Sequence, residues 1–283
     1  RWALVAYLPL FLAARAVVIL RLRELDRAEQ GARERLALVP ATLLAAGITA
    51  VSLAGTSWAR TLLAAAGVVV VLAAAARILP DDTLRLARGR RGLILLIGVL
   101  CGAYFGAHAV VAITAHDLLG RDAGSLAVLL GAGGVGWAVL GMVCGRWPAR
   151  DAGAYVRRVT LGALVLAGGA ALMAAAVVPG VPAAWPLLVT GWTVSGVGMG
   201  LCYVDTLNRG LDAPPVPDGI GTSQMAQALV MAEVIATALA GTLTASALAW
   251  IMGAPADRGV YAAVVYGILG LLALALPPLA RRT

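Results

Sequence analysis

Glu233 is the residue best placed to do chemistry. It stands near the middle of an apolar run, 221–249, and the next charge toward the C-terminus is Asp257. Ser223, Gln227, Thr237, Gly241 and Thr244 fall on or near one helical stripe with it. A polar stripe on an otherwise apolar helix faces a bundle interior or a water-filled cavity, and poor solvation favours the neutral form of a carboxyl. A carboxyl so placed suits reversible protonation or contact with a substrate. A neutral acid hydrogen-bonded between helices fits the same residues.

Three further ionisable groups interrupt apolar runs. His108 lies in the run 92–115, with Tyr104 one turn earlier and Cys101 behind it. Its imidazole suits a proton relay, or a plain hydrogen bond between helices. Asp205 is near the end of the run 185–206, where it either lines a cavity or pairs with Arg209 at i+4. Arg15 sits mid-run in 2–22, where it snorkels to the interface or pairs with an acid elsewhere.

Other patterns carry no chemistry. Gly131-x-Gly133-x-x-Gly136 has the spacing of a dinucleotide fingerprint, with Asp151 some way after it. It lies inside an apolar run that leaves no room for a βαβ unit, so close helix packing is the better reading, as for Gly141-x-x-x-Gly145 and Gly196-x-Gly198-x-Gly200. Cys101, Cys144 and Cys202 are an odd number, with no metal-ligand spacing, so neither a disulfide framework nor a metal site is expected.

The elements that must position these residues follow from composition. The chain has 283 residues, 61% hydrophobic and only 13% charged, with mean hydropathy +0.91. That is too few polar residues to cover a soluble domain, which excludes a soluble enzyme, a disordered tail and a coiled coil. An all-α polytopic membrane protein remains, because a bilayer core of about 30 Å takes roughly 20 apolar helical residues per crossing. About nine transmembrane helices are expected, near 2–22, 37–55, 59–78, 92–115, 124–145, 159–179, 185–206, 221–249 and 260–280. The net charge of +8 comes from 22 arginines and no lysine, set in clusters between the runs. That pattern is topogenic and gives no reason to expect nucleic acid. Odd-numbered loops plus the tail hold 17 arginines and even-numbered loops hold 3, which places the C-terminus in the cytoplasm.

RWALVAYLPLFLAARAVVILRLREL, opening on an arginine–tryptophan pair and carrying Leu8-Pro9, resembles the sixth helix of the fourteen-span drug/proton antiporter branch of the major facilitator superfamily. GVGMGLCYVDTLNRGLDAPP and GTSQMAQALVMAEVIATALAGTL resemble the fourth and fifth helices of that family's C-terminal half. Gly141, Arg146 and Arg150 match a degenerate copy of its cytoplasmic signature loop, with Gly145 where aspartate and Pro148 where glycine is usual.

The resemblance implies that residues 1–91 hold the last helix of an N-terminal half and two linker helices, and 92–283 a C-terminal six-helix bundle. It also implies that the first, second, fourth and fifth helices of the bundle line a cavity, where His108, Asp205 and Glu233 fall. An odd span count starting outside, with no initiating methionine, fits a fragment lacking upstream helices.

The expected function is transmembrane transport in the plasma membrane. The resemblance implies proton-coupled efflux of drug-like or metabolite compounds. Glu233, His108, Asp205, Tyr104, Gln227 and Thr237 are the proton-coupling or cavity candidates, joined by the aromatics Trp137, Trp192 and Tyr203. Partners are a small-molecule substrate, protons, the lipid bilayer and a missing N-terminal half; no cofactor or metal is implied. A membrane enzyme acting on lipid-linked substrates and a non-transporting scaffold are the alternatives, distinguished by lipid turnover and by the absence of any flux.

Overall fold

The computed structural model describes residues 9, 12, 13, 15–17, 38–55, 57–85, 88–212, 219–251 and 258–283. The chain divides into two units, Arg1–Ala37 and Leu38–Thr283. In the first, the described residues are helical and exposed, Pro9 and Arg15 among them. The rest of the first expected span lies outside the described residues, and with it any kink at Pro9.

The second unit is helical throughout its described elements. A short helix α1 (Leu38–Ser52) pairs with α2 (Trp58–Ile78). Six more helices follow: α3 (Arg90–Ile113), α4 (Ala123–Arg146), α5 (Ala152–Ala176), α6 (Ala184–Leu211), α7 (Thr222–Ile251) and α8 (Arg258–Ala273), with a last turn α9 (Leu276–Ala280). A wider π-type turn, Thr114–Leu118, extends α3.

Seven of these segments are long and apolar enough to cross a membrane. The chain is therefore described as a polytopic membrane protein. α1 has 15 residues, about 22 Å of helix, which falls short of a core of about 30 Å.

Local chemistry sets the helix starts. Ser57, Asp122 and Asp151 are N-caps whose side chains accept from the backbone N–H of Arg60, Ser125 and Ala154. These bonds satisfy N–H groups that have no partner within the helix. The Asp122 carboxyl, outside the spans, is held below the usual carboxylate range chiefly by its bonds from Ser125.

α6 is the hub of the bundle, packed against α4 on one side and α5 on the other. Its glycines explain how. A Cβ at Gly196 would collide with the backbone of Gly133 on α4, and one at Gly200 with the carbonyl of Trp137. Gly198, halfway between, instead faces Leu166 and Gly162 on α5. Residues two apart point to nearly opposite sides of a helix, so the alternating glycines serve two neighbours. The dinucleotide-like spacing on α4 resolves in the same way. Gly133 lies under the Trp192 indole and Gly136 against the Thr193 carbonyl, while Gly131 has open space beside it. α3 packs chiefly on α7, and α8 lies behind, against α5 and α3.

Because consecutive helices run in opposite directions, the loops sort to two ends. At one end the Gly89 N–H donates to the Arg282 carbonyl, 2.9 Å away. Arg90, buried, donates through Nε to Gly210 and through Nη1 to Ile220, both at 3.1 Å. The Arg209 guanidinium covers the Tyr155 ring at 4.7 Å. At the other end Arg121 covers Trp185 at 4.8 Å. Among the described residues, the arginine-bearing loops after α2, α4 and α6 thus share one end, and Arg60, Arg121 and Arg258 occupy the other.

Candidate functional site

Glu233 sits on α7, half-buried, and the hydroxyl of Tyr203 on α6 donates to its Oε2 at 2.7 Å. Tyr203 is also the end of an aromatic array. Its ring meets Trp137 of α4 edge-on, with centroids 5.4 Å apart. Trp137 meets Tyr104 of α3 at 5.7 Å, and Tyr104 stacks on Trp192 of α6 at 4.7 Å and 15°. Phe105 closes edge-on against both Tyr104 and Trp137. His108 lies beyond Trp192, its ring 5.4 Å from the indole. Four helices, α3, α4, α6 and α7, therefore supply one continuous face with a carboxyl at one end and an imidazole at the other. Edge-to-face and stacked pairs of this kind hold rings in place and add about 0.5–1.5 kcal/mol each beyond burial.

The face grades from packed to open. Tyr104 and Trp192 are buried, Trp137, Tyr203 and Glu233 are half-buried, and His108 is exposed. The Trp192 Nε1, packed against Gly133 of α4, and the Ser195 Oγ, packed against Gly169 of α5, are buried without a hydrogen-bond partner, as is the Thr237 hydroxyl one turn beyond Glu233.

The other expected members of the stripe on α7 separate. Thr244 turns into the contact with α3, where its hydroxyl donates to the Gly106 carbonyl at 3.1 Å. Gln227 is exposed, and no hydrogen bond among the described residues joins it to Glu233.

Asp205 is not paired with Arg209, contrary to the i+4 expectation. It is 3% exposed, and its partner is Arg158 on α5, Nη1 to Oδ2 at 2.6 Å. Its other oxygen accepts from the backbone N–H of Ala149 at 3.4 Å. Arg209 covers Tyr155 instead. The reason is rotational: Asp205 follows Tyr203 by two residues, so it points away from the aromatic face, toward α5 and the loop 147–151. It anchors that signature-like loop, in which Gly141 touches Val204 and Arg146 and Arg150 are exposed.

Three residues were not expected from sequence in these roles. Tyr203 stood only among scattered aromatics, Arg158 only among loop charges, and Arg90 only as topogenic charge. Each acts through a partner on a distant segment, which no local spacing encodes. The three cysteines are buried and unbridged.

The chain matches no protein-family model, and comparison with curated proteins returns no relative. What the site can do rests on its geometry. A carboxyl held by a phenol accommodates either protonation state, because the hydroxyl donates to a carboxylate and accepts from a carboxylic acid. Flat π-faces beside it suit apolar, aromatic or cationic molecules.

Proposed function

We propose that this protein is a transporter of the major facilitator type, and that it exports small, largely apolar molecules in exchange for protons. The observation that carries the reading is the Glu233–Tyr203 pair at the edge of an aromatic face drawn from α3, α4, α6 and α7. Those are the first, second, fourth and fifth of six helices, while α5 and α8 lie behind, as the family arrangement requires. The packing of α4 on α6 and of α7 on α3 also supports two intertwined three-helix repeats. In this reading α1 and α2 are the linker helices, and the aromatic face meets a second six-helix half across the pathway. The protein spans the plasma membrane with its arginine-rich end and C-terminus in the cytoplasm.

Glu233 carries the exchanged proton and Tyr203 positions it. Trp137 and Tyr203 offer ring surface to the substrate, with Tyr104 and Trp192 buried behind them and His108 at the mouth. Asp205 has a structural role at the cytoplasmic loop. The test is dye efflux driven by an imposed pH gradient, in cells or vesicles holding the full transporter. Glu233→Gln is expected to abolish gradient-driven efflux with membrane levels unchanged. Efflux at the wild-type rate in that variant removes Glu233 from the mechanism, and no pH-driven flux by the wild type removes the exchange reading altogether.

A further inference from the structure

On the side of the bundle where α2 meets α3 and α7, a groove of about 390 Å³ is lined by apolar atoms almost throughout. Its floor is made of small residues, Gly98 and Gly102 on α3 and Ala236 on α7, and its rim of Leu72, Leu84 and Leu243, which are exposed. Along α7 it runs from Ala232 to Leu243, a rise of about 16 Å of helix. One leaflet of a bilayer core is about 15 Å thick. The groove starts at the arginine-rich end, where Leu79, Thr83 and Leu84 are shared with a second cavity of about 420 Å³ that is walled by Asp81, Asp82 and Arg85. A charged chamber at the membrane boundary thus opens into an apolar trough one leaflet deep.

We propose that this groove is a phospholipid site, with one acyl chain lying along α3 and α7 and an ammonium-bearing headgroup at the chamber, where Arg85 pairs with Asp82 at 3.2 Å and Asp81 is left to meet the ammonium. The amphipathic order matches that of a lipid standing in its own leaflet: polar partners first, then a length of pure hydrocarbon. The bilayer is the solvent of these helices, so the ligand is present at high concentration and needs no separate entry route. The lipid wedges α2 against the bundle, which fixes the α1–α2 pair at the side of the bundle that bears α7. This site shares no residue with the Glu233–Tyr203 pair or the aromatic array, and it stands whether or not the chain transports.

The glycines supply a clean test. A Cβ at Gly98 meets nothing closer than 3.9 Å, and at Gly102 nothing closer than 3.8 Å. The Cβ of a residue at Gly98 therefore has room, so Gly98→Leu is used to place further carbons in the groove, and Gly134→Leu, at an open position on α4, is its control. Protein extracted from vesicles of phosphatidylethanolamine and phosphatidylglycerol is exchanged into detergent and weighed by native mass spectrometry. The wild type and Gly134→Leu are expected to retain one phospholipid per chain, and Gly98→Leu to lose at least tenfold in occupancy. No retained phospholipid in the wild type, equal retention in Gly98→Leu, or retention of a different apolar compound overturns the site. A second measurement uses only the wild type: a phospholipid with a photoactivatable acyl chain, in the same vesicles, is expected to concentrate its adducts on 94–102 and 232–243. Adducts spread evenly over the lipid-facing helices overturn it.

Discussion

Asp205 and Glu233 are both carboxyl residues on membrane helices, and their surroundings give them opposite employment. Asp205 is closed off, with a guanidinium on one oxygen and a backbone N–H on the other. Glu233 has a single phenolic donor and an open side. Removing one member of a buried ion pair leaves the other charge stranded, at a cost of about 3 kcal/mol here, because Arg158 retains some solvent access. Asp205→Ala is therefore expected to lower thermal stability in detergent by about that much. The double variant Asp205→Ala, Arg158→Ala should recover part of the loss; a loss equal to the sum of two single losses contradicts the pairing. At the boundary, Asp122 offers a pH test. Its folded carboxyl titrates below the unfolded one, so its contribution to the start of α4 is present above the unfolded value and is lost as pH falls through the folded value. Protection of the amides in the first turn of α4, measured against their intrinsic exchange rate at each pH, should fall over that acidic window in the wild type, and be low and flat with pH in Asp122→Ala.

At the scale of the element, α6 holds the bundle by presenting backbone to two neighbours at once. Gly133 and Gly134 are adjacent on α4 and make opposite predictions. A Cβ on Gly133 collides with the Trp192 indole, while one on Gly134 meets open space. Gly133→Ala is expected to destabilise by about 1–3 kcal/mol through overpacking, and to disturb the Trp192 fluorescence. Gly134→Ala should be neutral, or stabilise by up to about 1 kcal/mol, since alanine loses less backbone freedom in a helix. Melting temperatures of the two variants that move together contradict this packing. A nucleotide-binding role for the same glycines predicts instead that stability is unaffected and binding is lost.

For the whole molecule, the two ends differ in charge, and the difference predicts orientation. Ala183 is exposed at the arginine-poor end and Arg281 at the arginine-rich end. Single cysteines at these sites, added to three native cysteines that are buried, report side by reaction with a membrane-impermeant maleimide. Ala183→Cys is expected to react in intact cells, and Arg281→Cys only after permeabilisation. The reverse pattern inverts the orientation and with it the direction of any proton exchange.

Much of this was legible without coordinates. Hydropathy alone establishes membrane-crossing helices, because lipid leaves the backbone no partner outside its own helix. For the described loops, the alternation of arginine sorts them to two ends, since consecutive spans must reverse direction. Glu233 and His108 stood out because a charge in an apolar run is costly wherever it is. What the sequence could not state is which way each helix turns. Whether Asp205 meets Arg209 or Arg158, whether Thr244 joins Glu233 or the Gly106 carbonyl, and which tyrosine holds the carboxyl all depend on a rotation of a few tens of degrees about a helix axis. That rotation is set by glycine contacts between segments far apart in the chain. Only the tertiary structure joins Tyr203 to Glu233, because their bond spans thirty residues and two helices, and no period of 3.6 reaches across a loop.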